Sequence, residues 1–196
     1  MTLAQRLLAS ASTLPEGAVL KAKGFLELGT RAGIDQALSR LSRAGKLMRS
    51  GRGVYVLPIE SRFGTRAPSP EKVVAESARL RGETIAPHGA AAANRLGLTT
   101  QVPMRMAYLT SGPSRQLKLG AQCIELKHAP TWQLLNANRE SGEVLRALAW
   151  SGRPHAREAL IQLKPKLPSQ VRDELVASRS SLPGWLAETI SAELVA

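Results

Sequence analysis

The chain has 196 residues, 43% of them hydrophobic, enough for one large domain or two small ones with a real core. No run of about 18 apolar residues occurs, so no membrane span is expected, and the lone cysteine, Cys123, excludes an internal disulfide and a cysteine-based zinc site. The formal charge is +12 and unevenly spread: residues 1–66 hold 11 Lys and Arg against 4 Asp and Glu, and residues 67–196 hold 16 against 11. A concentrated positive field favours polyanions, because each phosphate neutralised releases condensed counterions. The first twelve residues carry one Arg and an apolar stripe without a continuous apolar region or a cleavage signature. No secretory signal is expected, and the protein reads as cytoplasmic.

In chain order, Leu3, Leu7 and Leu8 recur at helical spacing, and Leu14-Pro15-Glu16-Gly17 closes that helix. A second short helix is predicted over Lys21–Leu28, followed by a tight turn at Gly29-Thr30-Arg31. The strongest pattern of this half runs over Arg31–Ala44, where Ile34, Ala37, Leu38 and Leu41 share one face and Gly45 stands at the C-terminal cap. Gln36, Ser39, Arg40 and Arg43 share the opposite face, with Arg31 near the N-terminal end. Arg and Gln can bond base edges through forked donors and acceptors, and Ser reaches phosphates. Lys46–Arg49 reads as a strand, Ser50-Gly51-Arg52-Gly53 as a glycine turn, and Val54–Leu57 as the return strand. Helix, turn, helix and then a hairpin with Arg49 at its base and Arg52 at its tip is the layout of a winged helix-turn-helix DNA-binding domain over residues 1–66.

Ser61–Pro70 has no periodic apolar face and reads as a connector. The remainder, residues 67–196, is expected to form an α+β domain. Its predicted elements are a helix at Glu71–Arg81 with Val73, Val74, Ser77, Ala78 and Leu80 inward, a strand at Thr84–Ala86, and an alanine-rich helix at Gly89–Leu96. Strands follow at Met104–Thr110, Arg115–Leu119 and Gln122–Lys127, then a helical tail: Thr131–Asn136, Glu143–Trp150, His155–Lys164, Ser169–Ser178 and Leu182–Leu194.

No active site is expected. His88, His128 and His155 are far apart and lack metal-ligand spacing, so neither a metal nor a cofactor is assigned. Cys123 is expected to be a buried, inert thiol. No nucleophile elbow, P-loop or dinucleotide loop occurs.

The run from Leu38 to Leu47, with Arg49 and Gly51-Arg52-Gly53-Val54-Tyr55, resembles the winged-helix start of AbiEi-type antitoxins. Ala86-Pro87-His88-Gly89 through Asn94, then Leu96–Pro103 and Tyr108–Gly112, resembles the second domain of the same group. The resemblance covers roughly residues 3–130. It implies an antitoxin of a bacterial toxin–antitoxin (abortive-infection) module that binds inverted repeats in its own promoter, represses transcription, and counteracts a nucleotidyltransferase toxin. It implies recognition-helix contacts from Arg31, Gln36, Arg40 and Arg43 and wing contacts from Arg49 and Arg52. The chain lacks the Gly-Ser and paired-Asp signature of a nucleotidyltransferase, so it is not itself expected to be the toxin. The competing expectations are a regulator whose second domain senses a ligand, marked by an apolar pocket near the Met104–Leu126 sheet, and a nucleic-acid-directed enzyme.

Overall fold

A computed structural model describes residues 1–62 and 64–195. The chain is α+β, and it divides into two compact units: residues 1–83 with 115–125, and residues 84–114 with 126–196.

The first unit begins with α1 (Leu3–Ser12), started by a capping box. The Gln5 N–H donates to Thr2 Oγ1 at 3.3 Å and the Thr2 N–H to Gln5 Oε1 at 2.8 Å. A two-residue strand, β1 (Val19–Leu20), comes next, and sequence periodicity is too short to reveal it. Where a second α-helix was predicted, Ala22–Leu28 forms 3-10 turns broken at Phe25, whose backbone leaves the helical region. Only Ala22 and Phe25 of that segment are buried, so it offers no continuous apolar stripe to hold an α-helix.

α2 (Arg31–Arg43) matches its prediction closely. Thr30 caps it by accepting from the Gly33 N–H at 3.2 Å, and Gly45 beyond its end takes φ +71°. Ile34, Ala37, Leu38 and Leu41 are all buried, in a core shared with Leu7 and Ala11 of α1, Phe25, Leu47 and Tyr55. β2 (Met48–Gly51) and β3 (Val54–Val56) form the hairpin that follows, and β1 pairs with the other side of β3. The result is an antiparallel sheet in the order β1-β3-β2, in which Val56 faces both Val19 and Met48.

The segment read as a connector contains structure. β4 (Ile59–Ser61) and β5 (Gly64–Arg66) pair as a two-stranded antiparallel ribbon. The alternation that announces a strand requires one face against a core, and no described residue of this ribbon is buried. α3 (Pro70–Arg79) follows, with Val73, Val74, Ser77 and Ala78 buried. Leu80, expected inward, is 43% exposed because it is the cap rather than part of the last turn. The break expected after residue 66 therefore falls at 83/84, and β8 (Arg115–Leu119) with the first half of β9 (Gln122–His128) also belongs to the first unit. There β8 lies against β2, and Gly120, at the turn of the β8–β9 hairpin, has φ +61° beside the Met48 side chain.

The second unit holds β6 (Ile85–Pro87), α4 (Gly89–Arg95), β7 (Met106–Thr110) and the end of β9. β6 pairs antiparallel with β7, Ala86 facing Leu109. The predicted helix at Thr131–Asn136 is a 3-10 turn, Thr131–Leu134, halted before Asn136, which adopts φ +48°. The long helix α5 (Glu140–Leu163) is interrupted at Gly152 (φ +75°), just before Pro154, so the two predicted helices are its two arms. With α6 (Ser169–Ala177) and α7 (Gly184–Leu194) it encloses the main core of this unit, which includes Leu145, Leu148, Leu160, Leu175, Leu186 and Ile190. α4 packs tightly on α5: a Cβ at Gly89 would run into the carbonyl oxygen of Arg146 and come within 2.8 Å of Trp150 Cβ. Among the described residues no helix is long and apolar enough to cross a membrane.

Candidate functional site

Burying Ile34, Ala37, Leu38 and Leu41 fixes what α2 turns outward. Gln36, Arg40 and Arg43 are exposed on the face opposite the core, and Ser39, half-buried among them, accepts from Arg43 Nη2 at 3.3 Å. These four sequence-predicted residues therefore form one surface. Arg31 does not join it. At 100° per residue it stands about 140° around the helix from Gln36, and its Nε donates to Asp35 Oδ2 at 2.9 Å. Both partners are roughly half exposed, so this i,i+4 pair contributes little to stability, but it places a carboxylate beside the Arg31 cation.

Arg49 and Arg52 are both exposed on the β2–β3 hairpin, as expected. Arg49 Nε donates to the Gly51 carbonyl at 3.3 Å, which holds the guanidinium along the strand. Arg52 occupies the turn between Gly51 and Gly53, and Gly53 has φ +65°, a conformation glycine adopts without strain. The register shifts between Arg49 and Gly51, and this bulge turns Ser50 inward, with its hydroxyl buried and without a hydrogen-bond partner.

The charge concentration of residues 1–66 lies wholly within the first unit. Residues 1–83 and 115–125 hold 16 Lys and Arg against 8 Asp and Glu, two-thirds of the chain's net charge. Partial burial, with Arg81 and Arg115 nearby, holds Lys21 below the ordinary lysine range. Several of the acids are already engaged. Glu16 accepts from Lys72 Nζ at 2.5 Å and from the Ser69 N–H at 3.0 Å, with Arg66 at 3.6 Å, and the Lys72 bond chiefly keeps its carboxyl below the usual range. Glu83 and Arg115 form a largely buried bidentate pair at 3.1 and 2.6 Å.

The remaining chemistry-bearing side chains are scattered. His88 Nδ1 caps α4 by accepting from the Ala90 N–H at 3.3 Å, and His128 Nδ1 lies 3.0 Å from the Gly112 carbonyl. His155 is exposed. Cys123, expected to be buried, is exposed: Ile124 and Leu126 are the inward residues of β9, and alternation turns Cys123 away from the core. Among the described residues no group of three His, Cys, Asp or Glu side chains could hold a metal ion. A cleft of about 470 Å³ lies within the first unit, between Met48, Arg66–Pro70 and the Leu119–Gln122 turn.

Sequence reasoning missed two features. One is the β4–β5 ribbon with Arg62 at its turn. The other is Arg146, fully buried on α5, which donates from Nη2 to the Ala137 carbonyl at 3.2 Å while Nε and Nη1 have no partner. An arginine within an otherwise apolar helical stripe, Val144-Leu145-Arg146-Ala147-Leu148, was the available signal for the second.

The chain belongs to a family of unknown function (DUF6088), whose pattern it matches over residues 6–174. No curated protein and no solved structure matches it.

Proposed function

We propose that the first unit is a winged helix-turn-helix domain that binds double-stranded DNA, with α2 as the recognition helix and the β2–β3 hairpin as the wing. The observation that carries this reading is the β1-β3-β2 sheet. A strand between the first helix and the 3-10 segment returns to pair with the hairpin that follows α2. That arrangement braces the hairpin beside α2 and leaves Gln36, Ser39, Arg40 and Arg43 on its outer face. The major groove of B-DNA admits a helix of this size, and Arg and Gln discriminate guanine and adenine edges there. The wing supplies Arg49 and Arg52 to phosphates, while Arg31, turned aside and paired with Asp35, serves at most as a flanking phosphate contact.

On this reading the protein is a cytoplasmic transcriptional autoregulator. The resemblance of its two motif blocks to AbiEi-type antitoxins extends the proposal. The chain represses its own promoter at an inverted repeat and counteracts a nucleotidyltransferase toxin, the second task falling to the second unit. No catalytic role, metal or cofactor is assigned to it. Selecting tightly bound duplexes from a random pool tests the first half. Gln36→Ala and Arg40→Ala should each cost about 1–3 kcal/mol on the selected sequence and little on random DNA. Equal losses on both would mean that α2 touches phosphate alone. Co-expression with a nucleotidyltransferase encoded beside it tests the second half, and unrelieved toxicity would remove the antitoxin role.

The cleft at Met48, Leu119 and Gly120 favours one second reading, a ligand-responsive regulator, since about 470 Å³ is the size of a small-molecule site. Met48, Leu119 and the prolines make its lining largely apolar, but its one cation, Arg66, is drawn to Glu16 at 3.6 Å, which makes this the weaker of the two readings.

A further inference from the structure

We propose that Ala32 is a further base-reading residue of α2, its side-chain methyl packing on the 5-methyl group of a thymine near the base read by Gln36. This deepens the recognition-helix reading and rests on it. At 100° per residue Ala32 and Gln36, four positions apart, stand about 40° from each other, and Arg43 falls between them, about 20° from Gln36. All three are exposed, so one line of side chains runs along the face opposite Ile34, Ala37, Leu38 and Leu41.

The other residues of the first turn are committed elsewhere. The Thr30 hydroxyl accepts from the Gly33 N–H at 3.2 Å and so caps the helix. Arg31 is drawn aside to Asp35, its Nε donating to Oδ2 at 2.9 Å. Gly33 has no side chain, and a Cβ there would lie 3.5 Å from Leu3 Cδ2, on the side facing α1. What the first turn offers outward is therefore a methyl group. The N-terminal residues of a recognition helix are those that reach base edges in the major groove. Thymine is the base that presents a methyl there, and alanine is among the side chains that pack on it. A side chain this short also lets the helix end sit deep enough for Gln36, one turn on, to bond an adenine edge. From Ala32 to Gln36 the helix rises about 6 Å, close to two base-pair steps of about 3.4 Å. The thymine is thus expected within two base pairs of the adenine.

The test titrates full-length protein against the duplex selected from the random pool and against copies in which one thymine at a time is replaced by deoxyuridine. That replacement removes the 5-methyl group and leaves every hydrogen-bonding atom in place. One replacement, within two base pairs of the position that Gln36→Ala ceases to discriminate, should weaken wild-type binding about fourfold, the worth of burying one methylene-sized group. The same replacement should leave Ala32→Gly unaffected. Each readout is a ratio of affinities on one protein, so any loss of helix stability in Ala32→Gly cancels. A selected sequence without thymine there, no loss at any thymine, or an equal loss in wild type and Ala32→Gly overturns the role of Ala32 and leaves the Gln36 result standing. If Gln36→Ala and Arg40→Ala lose equally on selected and random duplexes, or wild-type protein binds neither, the recognition-helix reading fails and Ala32 with it.

Discussion

Arg115 and Glu83, 32 residues apart in sequence, meet in a bidentate ion pair with both side chains largely shielded from water. The pair ties the start of β8 to the chain just beyond α3, and so holds a later hairpin within the N-terminal unit. Glu83→Gln replaces two charge-assisted hydrogen bonds to a shielded cation with neutral ones and should cost about 1.5–3 kcal/mol. Urea denaturation of the full chain checks this. A loss below roughly 0.5 kcal/mol would mean that the pair behaves as an exposed one.

Gly89 tests the packing of the second unit. Its Cα faces the Arg146 carbonyl, where backbone rather than a flexible side chain would have to move. Gly89→Ala should therefore destabilise by about 3 kcal/mol despite its favourable helix propensity. Thermal unfolding of the variant should show it as a shift of several degrees, and a gain in stability would contradict the α4–α5 contact.

Arg146 gives the opposite sign. Burial pushes its pKa down to about 10, so it remains a cation at neutral pH, with two nitrogens lacking partners. Arg146→Met replaces that charge with an apolar chain of similar length and should raise the free energy of unfolding by about 1 kcal/mol. A loss exceeding about 2 kcal/mol would show that those nitrogens are satisfied in solution.

Acid sensitivity should trace partly to Glu174. The Ser141 hydroxyl, the first cause, and then Arg139 hold its carboxyl below the ordinary value of 4.5. Folding therefore favours the ionised form. Its contribution is fully present above pH 4.5 and is lost as pH falls through the lowered folded value. Glu174→Gln should flatten the acid limb of the stability curve, read by urea midpoints from pH 6 to 3; an unchanged limb would contradict the interaction.

Strong local patterns were legible in the sequence. α2 follows from Ile34, Ala37, Leu38 and Leu41 at helical spacing between Thr30 and Gly45, and the β2–β3 turn from Gly51 and Gly53. β1 was hidden because two residues carry no period, and its pairing with β3 is set by tertiary contact. The β4–β5 ribbon was hidden because none of its described residues is buried, which leaves no alternation to read. The unit boundary was misplaced for a third reason. Arg115–Glu125 returns to the first unit through contacts such as Glu83–Arg115, which no local window contains. Of the candidate site, the face of Gln36, Ser39, Arg40 and Arg43 was readable by helical geometry, whereas the diversion of Arg31 toward Asp35 depends on an i,i+4 pairing that the sequence only permits.

The proposed grip on duplex DNA by a wing beside a recognition helix is tested most directly by its salt dependence. Binding of the full chain to duplex DNA, measured across a range of salt, should be steeply salt-dependent. Changing Arg49 and Arg52 together to Ala should lower the log–log slope by roughly 1.8, two phosphate contacts, and weaken binding to all sequences alike. An unchanged slope in that double variant, with its fold intact by circular dichroism, would contradict the account.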